Sequence, residues 1–168
     1  MAAADEWVDL IDDDGRRIGI GTRREMREQR LPHRCTYVLV FNERGELFLH
    51  LRTATKDVYP SHWDICIGGV LAAGETFDQG VRREIREEIG IDAVAEPMFP
   101  FRYADERTIV QAMAYRLVHD GPFQLQAEEI VRGEFVPLAD IGERIKREAF
   151  CPDGVKVWEA YQSRPAFV

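Results

Sequence analysis

The sequence has few cysteines, fewer basic than acidic residues, and no long apolar run. Its three cysteines are odd in number and show no C-x-x-C spacing, which argues against a disulfide framework and a zinc site. The net charge is −8, and this argues against nucleic acid as a partner, because binding nucleic acid needs a basic surface. No stretch has the length of a membrane span or the pattern of a signal peptide. We therefore expect a cytoplasmic protein without a membrane partner.

What is present is enough apolar material for one folded domain, since 45% of the 168 residues are apolar. Two alternating segments on either side of a turn at residues 12–15 predict an N-terminal β-hairpin, and Thr22 is suited to cap a short helix behind it. We divide the chain accordingly. Residues 1–30 are predicted to form this hairpin and helix, packed on a main domain that comprises residues 31–168.

The main domain alternates between strand-like and helix-like segments. Strands are predicted at residues 36–41, 47–51, 64–67, 109–118 and 134–137, and helices at 76–90, 138–149 and 154–162. Strands before and after one strong helix predict a mixed α/β (α+β) sandwich rather than a regular βαβ series.

The strong helix has clear boundaries. Thr76 and Gln79 have the spacing of a capping box, and Gly90 supplies a left-handed stop. Its apolar residues are four apart and predict one stripe that faces a core: Phe77, Val81, Ile85 and Ile89.

Beside this stripe lie Glu84, Glu87 and Glu88, related by three- and four-residue spacing. Like charges so placed repel by a few tenths of a kcal/mol per pair, and the helix dipole disfavours them near the C-terminus. A divalent cation would reverse both effects, and Mg²⁺ prefers such hard oxygen ligands. The alternative is a solvated charged face in which Arg83 and Glu87 form an ion pair. The glycine pair 68–69 before the helix favours the metal, because glycines allow backbone carbonyls to approach it closely.

The segment resembles the signature of the Nudix family, G-x5-E-x7-R-E-U-x-E-E-x-G-U with U aliphatic. It matches at every defined position: Gly69, Glu75, Arg83, Glu84, Ile85, Glu87, Glu88, Gly90 and Ile91. The resemblance implies a Nudix αβα sandwich with a mixed β-sheet, here with an N-terminal β-hairpin extension. It also implies hydrolysis of a phosphoanhydride bond, with Mg²⁺ as cofactor or Mn²⁺ in its place, and a nucleotide or diphosphate as the small-molecule partner.

The same resemblance assigns roles within the segment. It implies metal ligation by the Gly68 carbonyl and by Glu84, Glu87 and Glu88. These three glutamates and Arg83 form the implied catalytic set, in which Glu84 either binds metal or orients the attacking water. Arg83 and Glu75 are implied to hold the platform in place. Relatives are often dimers, so a homodimer is one assembly to consider.

Residues outside the signature are weaker candidates. Glu128 or Glu129 could supply a further ligand or base, or be solvated loop acids. Arg52 resembles a family arginine that faces substrate phosphate, which its bidentate fork would suit, with a surface salt bridge as the alternative. Three aromatic residues could stack on a base or belong to the core, namely Trp63, Phe101 and Tyr103. The histidines at positions 33, 50 and 62 share no metal-ligand spacing, and we interpret them as structural.

The N-terminal half also resembles the branch of the family that includes isopentenyl-diphosphate isomerase and bacterial hydrolases of the YfcD type. In the isomerase a catalytic cysteine and a metal-binding histidine follow the tryptophan loop, where this sequence has Ile67 and Gly69. Cys66 is one residue early, and we expect its side chain to face away from the metal. His33 matches an isomerase histidine. The alternatives to a hydrolase of nucleoside diphosphate derivatives are thus an isomerase and a non-catalytic Nudix-like domain.

Overall fold

The computed structural model describes residues 3–164, which form a mixed eight-stranded sheet with helices on both faces. A 3-10 turn, Ala3–Asp5, comes first. The strands are β1 (Trp7–Ile11), β2 (Arg17–Thr22), β3 (His33–Phe41), β4 (Leu47–Arg52), β5 (Trp63–Asp64), β6 (Glu96–Ala104), β7 (Ile109–Val118) and β8 (Ile130–Val136). The helices are α1 (Arg23–Glu28), α2 (Phe77–Ile89), α3 (Leu138–Arg147) and α4 (Pro152–Gln162). The predicted fold class is confirmed.

The N-terminal hairpin and the short helix are present as predicted. Strands β1 and β2 pair antiparallel, and Leu10 pairs with His33, which joins the hairpin to β3. Helix α1 begins at Thr22, whose side chain accepts a hydrogen bond from the Glu25 amide in a capping box. Met26 is the buried residue of α1 and packs in the main core. The division at residue 30 stays a prediction, and residues 1, 2 and 165–168 of the two ranges lie outside the described residues.

The sheet opens between β3 and β4, and this opening positions the site. The two strands pair only at Phe41 and Leu47, beside their connecting turn. Beyond that point β3 pairs in parallel with β7, whereas β4 pairs antiparallel with β8. The segment at residues 67–70 lies along the free edge of β3, where Val38 bonds with Ile67 and Thr36 donates to the Gly69 carbonyl. A gap therefore remains between the start of β3 and the end of β4.

Two apolar clusters cover the two faces of the sheet. On one face the α2 stripe of Val81, Ile85 and Ile89 packs against β3 residues such as Val38. On the other face α3 and α4 contribute the buried residues Ile141, Val157, Trp158 and Tyr161. Burial of each large apolar side chain stabilises the fold by about 1.5–3 kcal/mol, so these clusters hold α2 firmly on the sheet.

The sequence did not predict β6, and two other strand predictions were inaccurate. Strand β6 contains Pro97 and Pro100, which oppose a strand assignment, but it pairs only with β7 and so lies at an edge where proline is tolerated. Strand β8 begins at Ile130 rather than at residue 134. Strand β5 ends at Asp64, and Ile67 joins the sheet through an isolated bridge to Val38.

Within residues 3–164, no helix is long and apolar enough to cross a membrane.

Candidate active site

The acidic side of α2 faces Gly68 and Gly69, which belong to the segment at residues 67–70 along the edge of β3. Helix α2 begins at the predicted capping box of Thr76 and Gln79, and it ends at Gly90, which has a φ of 71°. Glu84 and Glu88 are buried, and the Gly68 amide donates a 3.0 Å hydrogen bond to Glu88 Oε2. Glu84 and Glu88 are therefore not part of a solvated charged face, which was the alternative interpretation of this helix.

Both glycines are needed for this close approach. Gly68 has a φ of 135°, and a Cβ there would lie 2.2 Å from the carbonyl oxygen of Thr36 on β3. A Cβ on Gly69 would lie 2.8 Å from Glu84 Oε1. Any side chain at residue 68 or 69 would thus push the strand or the carboxylate away, so glycine fixes the distance between β3 and α2.

Arg83 ties the acidic residues together. Its Nε and Nη2 atoms donate to the two carboxylate oxygens of Glu75, each at 2.9 Å, in a bidentate pair. Its Nη1 atom donates to Glu84 at 2.7 Å and to Glu87 at 3.1 Å. Its Nη2 atom also reaches the Val70 carbonyl at 3.2 Å. Arg83 therefore anchors α2 to the loop before it, and the predicted ion pair with Glu87 is one part of this network.

Glu84 and Glu88 are buried close together without enough positive charge nearby to balance two carboxylates. Burial raises the pKa of Glu84, although Arg83 opposes this effect. Burial and the neighbouring Glu84 raise the pKa of Glu88 further. Glu87 is exposed at the cavity side of the same helix. A cation beside Glu84 and Glu88 would favour their charged forms.

Both loop acids line the cavity, and Glu129 is the one that interacts with the buried carboxylates. Burial raises the pKa of Glu129, but Lys56 and a hydrogen bond with Glu88 lower it overall. Lys56 Nζ forms an ion pair with Glu129, and Glu128 is exposed. Glu129 is the better placed of the two candidates.

A cavity of about 440 Å³ connects these groups with the gap between β3 and β4. At its inner end the Tyr37 hydroxyl donates to Asp153 Oδ2 at 2.8 Å, and Asp64 lies beside them. Burial and Asp64 raise the pKa of Asp153 to about 6. The volume falls in the range of small-molecule sites.

Arg52 lines this cavity, and part of its guanidinium group is already hydrogen-bonded to other residues of the protein. Its Nη1 atom lies 3.3 Å from Asp64 Oδ2, and its Nη2 atom donates to the Val58 carbonyl at 2.9 Å. The buried Nε atom has no hydrogen-bond partner among the described residues. Arg52 is positioned by the protein before any ligand arrives.

The sequence did not predict that side chains of α1 line part of the cavity. Arg23 and Arg27 of α1 line it together with Asp57 from the loop after β4. Arg27 donates to Asp57 at 3.3 Å and to the Thr108 hydroxyl at 3.1 Å. The short charged helix resembles an ordinary solvated face in the sequence, and only the pairing of β1 with β3 brings it to the site.

His33 and His50 are buried, in agreement with the structural interpretation. Burial and Arg27 lower the pKa of His33 to about 4, and burial lowers that of His50 to about 4 as well. His33 Nδ1 lies 2.9 Å from the Leu31 carbonyl and its Nε2 lies 3.5 Å from Arg27 Nη1. A neutral ring that donates from Nδ1 presents its lone pair to Arg27 and helps to position it.

The expectation that the Cys66 side chain faces away from the metal stays a prediction. Ile67 packs with the α2 cluster and Cys66 with the opposite cluster, as a one-residue offset requires. The cavity, however, passes through the gap in the sheet and reaches both faces, so Cys66 also lines it. Burial and the nearby Asp64 raise the pKa of the Cys66 thiol well above its usual value, which makes it a poor nucleophile.

The three proposed stacking residues belong to the core. Trp63 is buried, with Arg144 4.3 Å and Arg132 5.2 Å from its ring centre. Phe101 and Tyr103 are partly buried and pack on the same cluster. The aromatic side chains that line the cavity are instead Tyr37 and Tyr59.

The donor set fits a divalent cation, although it does not form a complete coordination sphere by itself. Within the described part of the chain, no group of three or more His, Cys, Asp or Glu side chains is arranged to hold a metal ion as it stands. Glu84 and Glu87 accept hydrogen bonds from Arg83, and Glu88 accepts one from the Gly68 amide. Hard carboxylate oxygens gathered beside a cavity are suited to Mg²⁺.

Comparison with known proteins agrees with the resemblance seen in the sequence. The model of the NUDIX domain family matches residues 31–156. An uncharacterized Nudix hydrolase of Pseudomonas aeruginosa is 36% identical and covers 95% of this chain and 96% of its own. One from Streptomyces coelicolor is 35% identical, covering 94% and 89%. The uncharacterized Nudix hydrolase YfcD of Escherichia coli K12 is 33% identical, covering 98% and 91%.

Solved structures share the fold at lower identity. A crystal structure of DR0079 from Deinococcus radiodurans superposes with a TM-score of 0.78 at 23% identity and covers 92% of this chain and 98% of its own. The NUDIX domain of Shewanella oneidensis NrtR, solved with ADP ribose, has a TM-score of 0.63 at 17% identity, covering 79% and 88%.

Proposed function

The chain belongs to the Nudix hydrolase family, and from this premise we propose that it is a Mg²⁺-dependent enzyme that hydrolyses the phosphoanhydride bond of a nucleoside diphosphate joined to another group. The proposed catalytic residues are Arg83, Glu84, Glu87 and Glu88. The proposed metal ligands are the same three glutamates and the Gly68 carbonyl, with Mn²⁺ as an alternative metal and Arg52 as a substrate contact.

The observation that carries this proposal is the buried pair Glu84 and Glu88 beside a polar cavity. A buried, under-neutralised carboxylate pair costs stability, so it favours a role that needs those oxygens. The network of Arg83 and Glu75 supports the proposal further, because it holds Glu84 in place at the cavity wall.

A bound Mg²⁺ would polarise phosphoryl oxygens and lower the pKa of a water molecule. The protein's own residues would do the rest. Glu84 or Glu129 would accept a proton from the attacking water, since both lie at the cavity wall. Arg52 would present its positive charge to a phosphate oxygen, and the cavity between Tyr37 and Tyr59 would hold the remainder of the substrate.

A phosphate-release screen tests this proposal. The panel comprises nucleoside diphosphate conjugates, free nucleoside di- and triphosphates and prenyl diphosphates, each with Mg²⁺, Mn²⁺ or no divalent cation. We expect metal-dependent cleavage at the diphosphate of at least one nucleotide conjugate. Cleavage that persists without a divalent cation, or none on any nucleotide, would refute the proposal.

One observation keeps the isomerase as a second candidate, because Cys66 lines the cavity. Its raised pKa and the position of His33 outside the cavity lining oppose that reaction. Incubation with isopentenyl diphosphate distinguishes the two, since only an isomerase forms dimethylallyl diphosphate. If turnover of a confirmed nucleotide substrate survives in Cys66→Ala, the thiol has no chemical role in it.

A further inference from the structure

We propose that Arg23 and Arg27 of the N-terminal helix α1 form a phosphate-binding subsite in the wall of the cavity. The inference rests on the proposed function, because it assigns this wall to a phosphate group of the substrate. The N-terminal extension then takes part in substrate recognition.

The first argument is how little of the Arg23 and Arg27 side chains is exposed to solvent. Their side chains are 17% and 20% exposed, whereas the acids nearest to them are more exposed, Asp57 at 42% and Glu6 at 49%. Both arginines line the cavity together with these two acids, and in each ion pair the guanidinium group is the less exposed partner.

The second argument is the unused hydrogen-bonding capacity of Arg23. Its nearest acidic oxygens are those of Glu6 at 3.6 Å and Asp57 at 3.7 Å, both beyond hydrogen-bond distance. Within residues 3–164 the Arg23 guanidinium makes these two long ion pairs but no hydrogen bond. A phosphate offers three acceptor oxygens to such a fork at shorter distances.

The third argument is that the neighbouring cations are already hydrogen-bonded within the protein, whereas the Arg23 side chain is not. Arg52 is held by Asp64 and Val58, and Lys56 by Glu129. Arg27 is fixed by Asp57, Thr108 and the His33 ring, so it presents its charge in a set position. Among the described residues Arg23 makes ion pairs with Glu6 and Asp57 but no side-chain hydrogen bond, so it can turn to a ligand while Arg27 stays in place.

The phosphate has two sources, either the reacting diphosphate or an additional phosphate ester on the substrate. Binding of inorganic phosphate, measured by calorimetry without divalent cation, tests the subsite apart from any hydrolysis. Arg23→Gln should weaken this binding at least about tenfold, since a charge-assisted hydrogen bond is lost. Arg24→Gln is the matched control on the same helix, because Arg24 is exposed and pairs with Asp5. That variant should bind within about twofold of the unmodified protein.

Phosphate binding that is undetectable in the unmodified protein, or unchanged in Arg23→Gln, would overturn the subsite. Because Arg23 makes no hydrogen bond through its side chain, its loss should leave the melting temperature nearly unchanged, and this controls for misfolding. If phosphate binds at Arg23 but no nucleotide is cleaved, the subsite stands and the proposed hydrolase function fails.

Matched substrates then identify the source of the phosphate. Coenzyme A and 3′-dephospho-coenzyme A differ by one phosphate, as do NADPH and NADH. If Arg23 holds an additional phosphate, Arg23→Gln should raise KM only for the member of a pair that carries it. If Arg23 holds the reacting diphosphate, KM should rise about equally for both members. A KM unchanged for every cleaved substrate would contradict the proposal.

Discussion

Helices α1 and α2 begin in the same way and bring opposite charges to one cavity. Each starts at a threonine with a complete capping box, Thr22 with Glu25 and Thr76 with Gln79. Helix α2 has 13 residues and carries carboxylates, whereas α1 has six and carries guanidinium groups. Three buried apolar residues anchor α2, and one anchors α1. We call Glu84, Glu87 and Glu88 of α2 the acidic wall of the cavity, and Arg23 and Arg27 of α1 its basic wall. The difference suggests that the acidic wall is held rigidly enough for catalysis, whereas the basic wall is held more loosely and serves binding.

The largest expected effect concerns the acidic wall. Glu88→Gln should lower kcat on a confirmed substrate by at least about 100-fold, the upper end of what loss of an outer-shell partner costs a metal site. The fold should persist, because burial already favours the uncharged form of Glu88. Steady-state kinetics and circular dichroism check this. Glu28→Gln, an exposed change on α1, is the control, and near-normal kcat in Glu88→Gln would remove Glu88 from the mechanism.

The next effect concerns the basic wall, where Arg27 contacts the neutral His33. The folded-state pKa of His33, about 4, lies below its ordinary 6.5. Between these values the unfolded chain binds a proton that the folded chain does not, so stability is lost as the pH falls from 6.5 toward 4. From pH 7 to 5 this loss amounts to roughly 2 kcal/mol, or about 4–8 °C in Tm.

His33→Asn keeps a donor for the Leu31 carbonyl and removes the titration. We therefore expect its Tm to fall less between pH 7 and pH 5 than that of the unmodified protein. The charged neighbours Arg23, Arg27 and Asp57 are retained in both proteins. Melting curves at the two pH values provide the measurement, and an equal fall in both proteins would show that His33 is not the group responsible.

A smaller effect tests the cation on the acidic wall. With free Mg²⁺ at about ten times Kd, a native-state ligand stabilises by roughly 1.4 kcal/mol, which raises the Tm of a domain this size by about 3–6 °C. Mn²⁺ should act likewise, and Na⁺ at matched ionic strength should not. The double variant Glu87→Gln, Glu88→Gln should lose the response. An equal shift in that variant would place the cation elsewhere on this acidic protein.

The two helices also differ in how much the sequence reveals of them. The caps, the apolar stripe and the signature of α2 are all local patterns, so the fold class and the proposed acidic group could be predicted. The contribution of α1 depends on the pairing of Leu10 with His33, a long-range contact that leaves no local pattern. That Cys66 lines the cavity was not predicted for a similar reason, because the cavity passes through a gap that strand alternation does not reveal.

The smallest effect compares the two caps directly. Loss of a threonine cap costs about 1 kcal/mol, so Thr76→Ala should lower Tm by about 2–4 °C because α2 unfolds with the core. Thr22→Ala should lower Tm less, since a six-residue helix with one buried side chain can open by itself. Its effect should appear instead as faster amide hydrogen exchange within α1, and as weaker phosphate binding if Arg23 and Arg27 form the proposed subsite. Equal losses of Tm in the two variants would mean that α1 unfolds only with the whole domain, and the basic wall would then be as rigid as the acidic one.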